Sequence, residues 1–175
     1  MLKANFITAQ EAAEKIQDGS ILCTIGMTLV SASESILKAI EKRFETVGHP
    51  ADITLVHSCG QSDRKDGIQH LAHEGLVKRI VGSHWGLQPR WMEMIANSQV
   101  EAYCLPQGQI AQLYRSMACG LPGKMSKVGL GTFIDPRVEG GKMNDRTKPL
   151  PDLVDILEYG GEEYMFYKEI PLDTV

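Results

Sequence analysis

The sequence predicts an α/β fold: a doubly wound, mostly parallel sheet with a β-hairpin near the end of the chain. Three observations carry that expectation. Short apolar runs alternate with stretches of helical periodicity, S/T-x-x-E segments precede two of those stretches, and glycine or proline closes most of them. The 175 residues suffice for one domain with a substantial core, and neither an internal repeat nor a low-complexity tract interrupts it.

Each element follows from local chemistry. Thr8-Ala9-Gln10-Glu11 is a capping box, and the helix it opens should end near Asp18-Gly19. Ile21-Leu22-Cys23-Thr24-Ile25 reads as a buried strand stopped by Gly26. Ser31-Ala32-Ser33-Glu34 is a second capping box, with Ile36, Ile40, Phe44 and Val47 at helical spacing behind it. That helix must stop before His49-Pro50, because a proline expels the preceding residue from helical geometry. Ile53-Thr54-Leu55-Val56 is the next strand, and a polar loop of ten residues runs from Ser58 to Gly67. A strand over 77–81, a helix marked by Trp91, Met92 and Ile95, and a strand over 100–105 continue the alternation. Ile110, Leu113, Tyr114, Met117 and Ala118 form a helical stripe closed by Gly120. Residues 121–151 show little periodicity and are expected to form a long irregular loop. Two strand-like runs around Gly160-Gly161 form the hairpin. Residues 1–148 are taken as the core and 149–175 as an acidic hairpin segment that reads as truncated.

Charge and composition exclude several functions. With 43% hydrophobic and 23% charged residues this is not a disordered chain. Residues 149–175 hold seven acids against Lys168, a local charge of −6 that leaves the rest at +2. That is too weak for a nucleic-acid surface. No apolar run approaches the roughly 20 residues needed to span a bilayer. Met1-Leu2-Lys3-Ala4-Asn5 leads into polar sequence without a secretory core, so a cytoplasmic protein is expected. Cys23, Cys59, Cys104 and Cys119 form no C-x-x-C pair and read as small hydrophobes. On one strand face, His57 and Cys59 would stand about 6–7 Å apart, beyond hydrogen-bond reach.

In an open parallel sheet, ligands collect beyond the carboxyl ends of the strands. Four loops are expected there: Gly26-Met27-Thr28-Leu29-Val30, His57-Ser58-Cys59-Gly60-Gln61, His84-Trp85-Gly86 and Pro106-Gln107-Gly108. Gly26, before a capped helix, can admit an anion to a helix N-terminus. No nucleotide-phosphate cradle is present, and Gly129-Leu130-Gly131 on its own reads more readily as a sharp backbone turn than as a phosphate contact. Gln107 is either a non-titrating donor to a negatively charged oxygen or an ordinary first-turn polar residue. His70-x-x-His73 has helical metal-ligand spacing but no third ligand, so a solvated helix face is expected and no metal. Asp135-Pro136-Arg137 is a structural ion pair or a substrate contact.

These residues carry a resemblance. Leu105-Pro106-Gln107-Gly108-Gln109-Ile110, Gly120-Leu121-Pro122-Gly123, Val128-Gly129-Leu130-Gly131-Thr132-Phe133-Ile134-Asp135-Pro136-Arg137 and Glu139-Gly140-Gly141-Lys142-Met143-Asn144 resemble family I CoA-transferases. The similarity is to the amino-terminal portion of the fused acetate, propionate or 3-oxoacid type, whose fold is related in outline to certain sugar-phosphate isomerases. Asp18-Gly19-Ser20 and Gly82-Ser83-His84-Trp85-Gly86 agree with it.

The resemblance implies acyl-CoA:carboxylate CoA-transfer through a glutamyl-CoA intermediate whose glutamate lies outside this chain. Gln107 would donate to the oxyanion of each tetrahedral intermediate. Gly26, Met27, Thr28, Ser58, His84, Trp85, Gly108, Gly131 and Thr132 would line the substrate. Partners would be acyl-CoA and short-chain carboxylates, with no further cofactor, and a second copy or the missing half of the enzyme. Two other readings compete. One is a non-catalytic module that folds and self-associates. The other is a sugar-phosphate isomerase relative, for which Arg79 and Arg90 are the available cations.

Overall fold

The structure, a computed structural model, describes residues 4–175; the start of the chain read above as lacking a secretory core lies partly outside that range. Four parallel strands lie side by side in chain order: β1 (Ile21–Thr24), β2 (Ile53–His57), β3 (Val77–Gly82) and β4 (Glu101–Cys104). Each crossover therefore steps the same way, and its right-handedness places the connections on one face. That face carries α1 (Ala9–Glu14), α2 (Glu34–Val47), a 3₁₀ helix (Gly67–Leu71) and α3 (Pro89–Ala96). Two rows across the sheet separate the two sides. Leu22, Leu55, Ile80 and Ala102 are in register and join the helical core, while their neighbours Cys23, Val56, Val81 and Tyr103 join a second core. Successive strand residues point to opposite faces, so one register serves both cores.

The second face is covered by α4 (Gln107–Ala118) and a small antiparallel sheet of β5 (Gly123–Ser126), β6 (Val154–Tyr159) and β7 (Glu162–Lys168), ordered β5-β7-β6. The parallel α/β layer and the hairpin are as expected. Residues 121–151 are not wholly irregular, because β5 pairs with β7 from Gly123↔Lys168 to Ser126↔Met165. Its sequence, Gly-Lys-Met-Ser, carries no strand periodicity; the partner strand imposes the geometry. The hairpin packs into the second core, where Val154, Met165, Tyr167 and Ile170 are buried. The final residues lie along the outer edge of β1, where Cys23 N–H donates to the Thr174 carbonyl at 2.8 Å. Among the described residues, no helix is long and apolar enough to cross a membrane.

Local signals explain some helix ends and miss others. The Thr8 box forms, with Glu11 N–H on Thr8 Oγ1 at 3.2 Å and Thr8 N–H on Glu11 Oε2 at 2.7 Å. The helix nevertheless ends at Glu14, short of Asp18-Gly19. The second box does not form: Ser31 has a positive φ of 62°, Ser33 precedes α2 without a side-chain bond, and Glu34 turns away to accept the Gly67 N–H at 2.9 Å. Val47 and Met92, expected on buried stripes, are exposed, and Leu37 and Met94 are buried in the helical core.

Glu34 turns away because it belongs to an ion network that replaces the expected solvated histidine face. His70 sits on the 3₁₀ helix, its Nε2 2.8 Å from Glu34 Oε1 and its Nδ1 on Glu41; His73 Nε2 reaches Glu41 Oε1 at 2.8 Å. Lys38 meets Glu34 and Asp66, and Arg90 approaches Glu41. A carboxylate on each ring nitrogen requires both to carry protons, so His70 is an imidazolium. Burial pulls its pKa down, but the bonds and charges of Glu41 and Glu34 outweigh that and raise it above 6.5. A raised folded-state value means that the stabilisation is complete below the unfolded value and is lost as pH climbs through the folded one. Stability should fall as pH rises from about 6.5 through the raised folded-state value, and His70→Asn should cost roughly 2 kcal/mol and remove that slope. Denaturant titrations of both proteins across the range test this; an equal slope in the variant would place the titrating group elsewhere.

Candidate active site

All four parallel strands release their chains at one rim, from Thr24, His57, Gly82 and Cys104. At about 4.8 Å per strand, β1 and β4 stand roughly 14 Å apart. Beside β3, Leu105 N–H donates to the Gly82 carbonyl at 2.8 Å and carries the pairing one residue past β4. Pro106, at φ −60° and ψ 129°, then turns the chain into α4. Gln107 is the first residue of α4; it is exposed, and among the described residues its amide makes no hydrogen bond. Gly108 is exposed too, and a Cβ there would meet nothing within 4 Å.

The two middle strands supply Ser58 and His84. Ser83 Oγ donates to the Ser58 carbonyl at 2.7 Å and lies 2.8 Å from His84 Nδ1, so the β2 and β3 loops are stitched together. Ser58 is half-buried and His84 exposed. Trp85, a candidate to line a substrate, is buried in the helical core, its ring edge-on to His57 with centroids 6.0 Å apart. It supports the rim from below and offers no surface to a ligand.

The His57 side chain bonds to backbone, as the spacing that separates it from the Cys59 thiol allows. Its Nδ1 lies 3.0 Å from the Cys59 carbonyl, and that carbonyl, not the thiol, is its partner. The ring is fully buried, and a Cβ on Gly82 would fall 2.4 Å from it. Burial drives its pKa down to about 4 against the raising effect of the Cys59 bond, and nearby His84 depresses it further. Neutral His57 therefore donates from Nδ1 and fixes the backbone leading from Ser58 into Gly60. Gln61 Nε2 donates to the Thr24 carbonyl at 2.7 Å, linking this loop to β1. No motif marks Gln61 or the buried Gln88 packed against Gly60; only the fold brings them together.

At the β1 end, Gly26 is explained by its own loop. With φ at 151°, a Cβ would fall 2.9 Å from the Val30 carbonyl oxygen, against which Met27 N–H closes a tight turn. Thr28 has φ 51° and bonds back to the Met27 carbonyl, while Met27 is 60% exposed. No anion seat opens at α2, whose first turn carries Glu34.

Gly131 and Thr132 reach the β4 end through an antiparallel return. Met143 N–H donates to the Ala102 carbonyl and Cys104 N–H to Gly141, whose own N–H reaches back to Phe133. Asp135 holds the loop's shape. Arg137 grips its two oxygens at 3.0 and 2.8 Å, Gly131 N–H donates at 2.9 Å, and the carboxyl stays well below the usual carboxylate range. This pair is structural, and it presents Gly131, at φ 70°, and Thr132 to solvent.

The rim thus brings Ser58, His84, Gln107, Gly108, Gly131 and Thr132 to the β2–β4 side and leaves Gly26, Met27 and Thr28 at the opposite edge. An apolar cavity of about 500 Å³ lies between α1, α2 and the last residues, lined by Ile16, Leu22, Ile36 and Val175 and reaching Thr24 and Ile25 at the β1 end of the rim. Arg79 is committed to Glu101 at 2.7 Å and stacks over Tyr103; Arg90 bonds Gln69 and approaches Glu41. Neither forms a phosphate clamp.

Residues 6–174 match the Coenzyme A transferase family, and the chain belongs to it. The chain is 43% identical to caffeate CoA-transferase of Acetobacterium woodii over 98% of its own length and 32% of that protein's. It superimposes on the Escherichia coli O157:H7 acyl-CoA transferase YdiF, in its thioester complex with CoA, with a TM-score of 0.88 at 36% identity, covering 95% of this chain and 33% of that one. It is also 27% identical, over 80% of its length and 56% of the relative's, to a Bacillus subtilis protein named as one subunit of a probable succinyl-CoA:3-ketoacid coenzyme A transferase. The chain spans about a third of the length of the first two relatives.

Two outcomes follow from the His57 geometry. Gly82→Ala should destabilise the protein by about 1–3 kcal/mol through collision with the ring, whereas Gly86→Ala, with nothing within 4 Å, should stay within about 0.5 kcal/mol. Thermal unfolding of both variants checks this, and equal losses would show that the ring yields freely. Separately, a depressed histidine pKa keeps its stabilisation above the unfolded value near 6.5 and loses it as pH falls toward about 4. The His57 ring resonances should therefore stay unshifted down to about pH 5; titration near neutrality would contradict the burial argument.

Proposed function

We propose that this chain supplies the Gln107-bearing part of an enzyme that moves CoA between acyl-CoA thioesters and short-chain carboxylates. The observation that carries the reading is Gln107 itself: an amide with no hydrogen-bond partner among the described residues, exposed at the start of α4 just past the end of β4, in a chain of the Coenzyme A transferase family. In the reaction implied, a glutamate carboxylate from the rest of the enzyme attacks the thioester carbonyl, expelling CoA thiolate and leaving an acyl-glutamyl anhydride. The thiolate then attacks the glutamyl carbonyl, releasing the first carboxylate and leaving a glutamyl-CoA thioester. The second carboxylate reverses both steps, with no net proton change.

Each attack passes through a tetrahedral oxyanion. Gln107 offers an N–H donor that does not titrate, so it serves every step at one protonation state. Gly108 leaves the space beside it open, and Gly131 and Thr132 lie at the same strand end. The relatives named as CoA-transferases, one of them as a single subunit of its enzyme, support a protein that works with further polypeptide.

In the active protein containing this chain, Gln107→Ala should lower kcat roughly a hundred-fold while KM moves only a few-fold, because the amide meets its charge in the transition state. Gln107→Glu should be at least as damaging, since it sets a negative charge against the oxyanion. Steady-state kinetics with acetyl-CoA and a short-chain carboxylate decide it. Near-wild-type turnover in Gln107→Ala would return the residue to an ordinary helix-start position.

A further inference from the structure

We infer that His84 is locked as its Nδ1–H tautomer and presents Nε2 as a hydrogen-bond acceptor for an amide N–H of the thioester substrate's arm. The tautomer follows from counting hydrogens. Ser83 has one hydroxyl hydrogen, and a carbonyl can only accept, so the 2.7 Å contact with the Ser58 oxygen takes it. The 2.8 Å contact between Ser83 Oγ and His84 Nδ1 then needs a hydrogen from the ring. Neutral His84 carries its proton on Nδ1, and Nε2 is left with a bare lone pair.

Both ends of the relay are anchored. The Ser83 carbonyl accepts from Cys104 Sγ at 3.1 Å, and Ser58 follows directly on buried His57. The ring itself is exposed at the rim, next along the sheet from the strand that leads to Gln107. A bare lone pair repels a carboxylate oxygen and attracts a donor. Of the two substrates proposed above, the carboxylate has no donor when ionised, whereas the CoA arm carries two amide N–H groups. The acceptor therefore selects the thioester partner. This assignment rests on the CoA-transfer reading; the tautomer does not.

The test has two arms. Long-range ¹H–¹⁵N spectra of the full chain under mildly alkaline conditions should show His84 with a protonated Nδ1 and a bare Nε2, and Ser83→Ala should mix the tautomers. A dominant Nε2–H form in the wild type, or an unchanged ratio in Ser83→Ala, overturns the inference whatever the enzyme's activity. In the active protein, pantetheine should move the His84 Nε2 resonance and acetate should not. His84→Gln, which returns an acceptor near Nε2, should keep KM for acyl-CoA within about three-fold, while His84→Asn should raise it roughly ten-fold or more with kcat little changed. Equal KM values in the two variants, or a response to acetate alone, overturn the acceptor role. Absence of CoA-transfer by the wild-type protein would instead remove the CoA-transfer reading and with it the choice of ligand, leaving the tautomer result standing.

Discussion

Two backbone hydrogen bonds on the outer edge of β4 decide where the glycine-rich loop lies. Cys104 N–H reaches the Gly141 carbonyl at 2.7 Å and Met143 N–H the Ala102 carbonyl at 2.9 Å. An edge strand presents unpaired donors that must be satisfied, and here residues 141–143 satisfy them. Because that return is antiparallel, the residues before it are delivered toward the carboxyl end of β4, where α4 begins. Gly141 accepts the close approach: its φ is 72°, and a Cβ would stand 2.6 Å from the Cys104 oxygen. Asn144 fastens the far end by donating to the carbonyls of Ile95 and Val100.

The remaining rim is shaped by polar groups that bond to backbone carbonyls, N–H groups and one another. His57 fixes one loop through a carbonyl, Ser83 ties that loop to its neighbour, and Asp135 with Arg137 shapes the third. Each is a short, directional contact in a place where packing alone would leave several backbone paths open. The His70 network does the same on the helical face, joining α2 to the 3₁₀ helix that closes the β2–β3 crossover. Its histidine is stabilised as a cation, while His57, buried without a carboxylate, is stabilised as a neutral ring. Two histidines of one chain thus respond to pH in opposite directions, through neighbours alone.

The alternation of apolar runs and helical stripes was enough to find the four parallel strands, because each carries a short run of buried apolar residues between helical stretches. The Thr8 box was legible for the same reason: its partners are three residues apart. Ser31 to Glu34 has an equally good pattern, yet Glu34 is drawn to Gly67 and His70, more than thirty residues away. A local motif loses when a long-range charged partner is within reach. Gln107 was visible as a residue, between a strand-ending proline and a glycine, and its family resemblance came from the linear motif around it.

What the sequence determined by itself was the four parallel strands, most of the helices and the family, since these reside in contiguous residues. The tertiary structure decided which of those residues meet. Trp85 lies in the same short motif as His84, but the sheet turns one into the core and the other to the rim. Gly26 and Gly131 both have positive φ, but one is required by its own turn and the other is held in place by the Asp135 carboxylate that accepts its N–H. β5 is a strand only because β7 offers its backbone. These outcomes depend on register, on edge pairing and on which carboxylate wins a contested histidine, all set by distances through space.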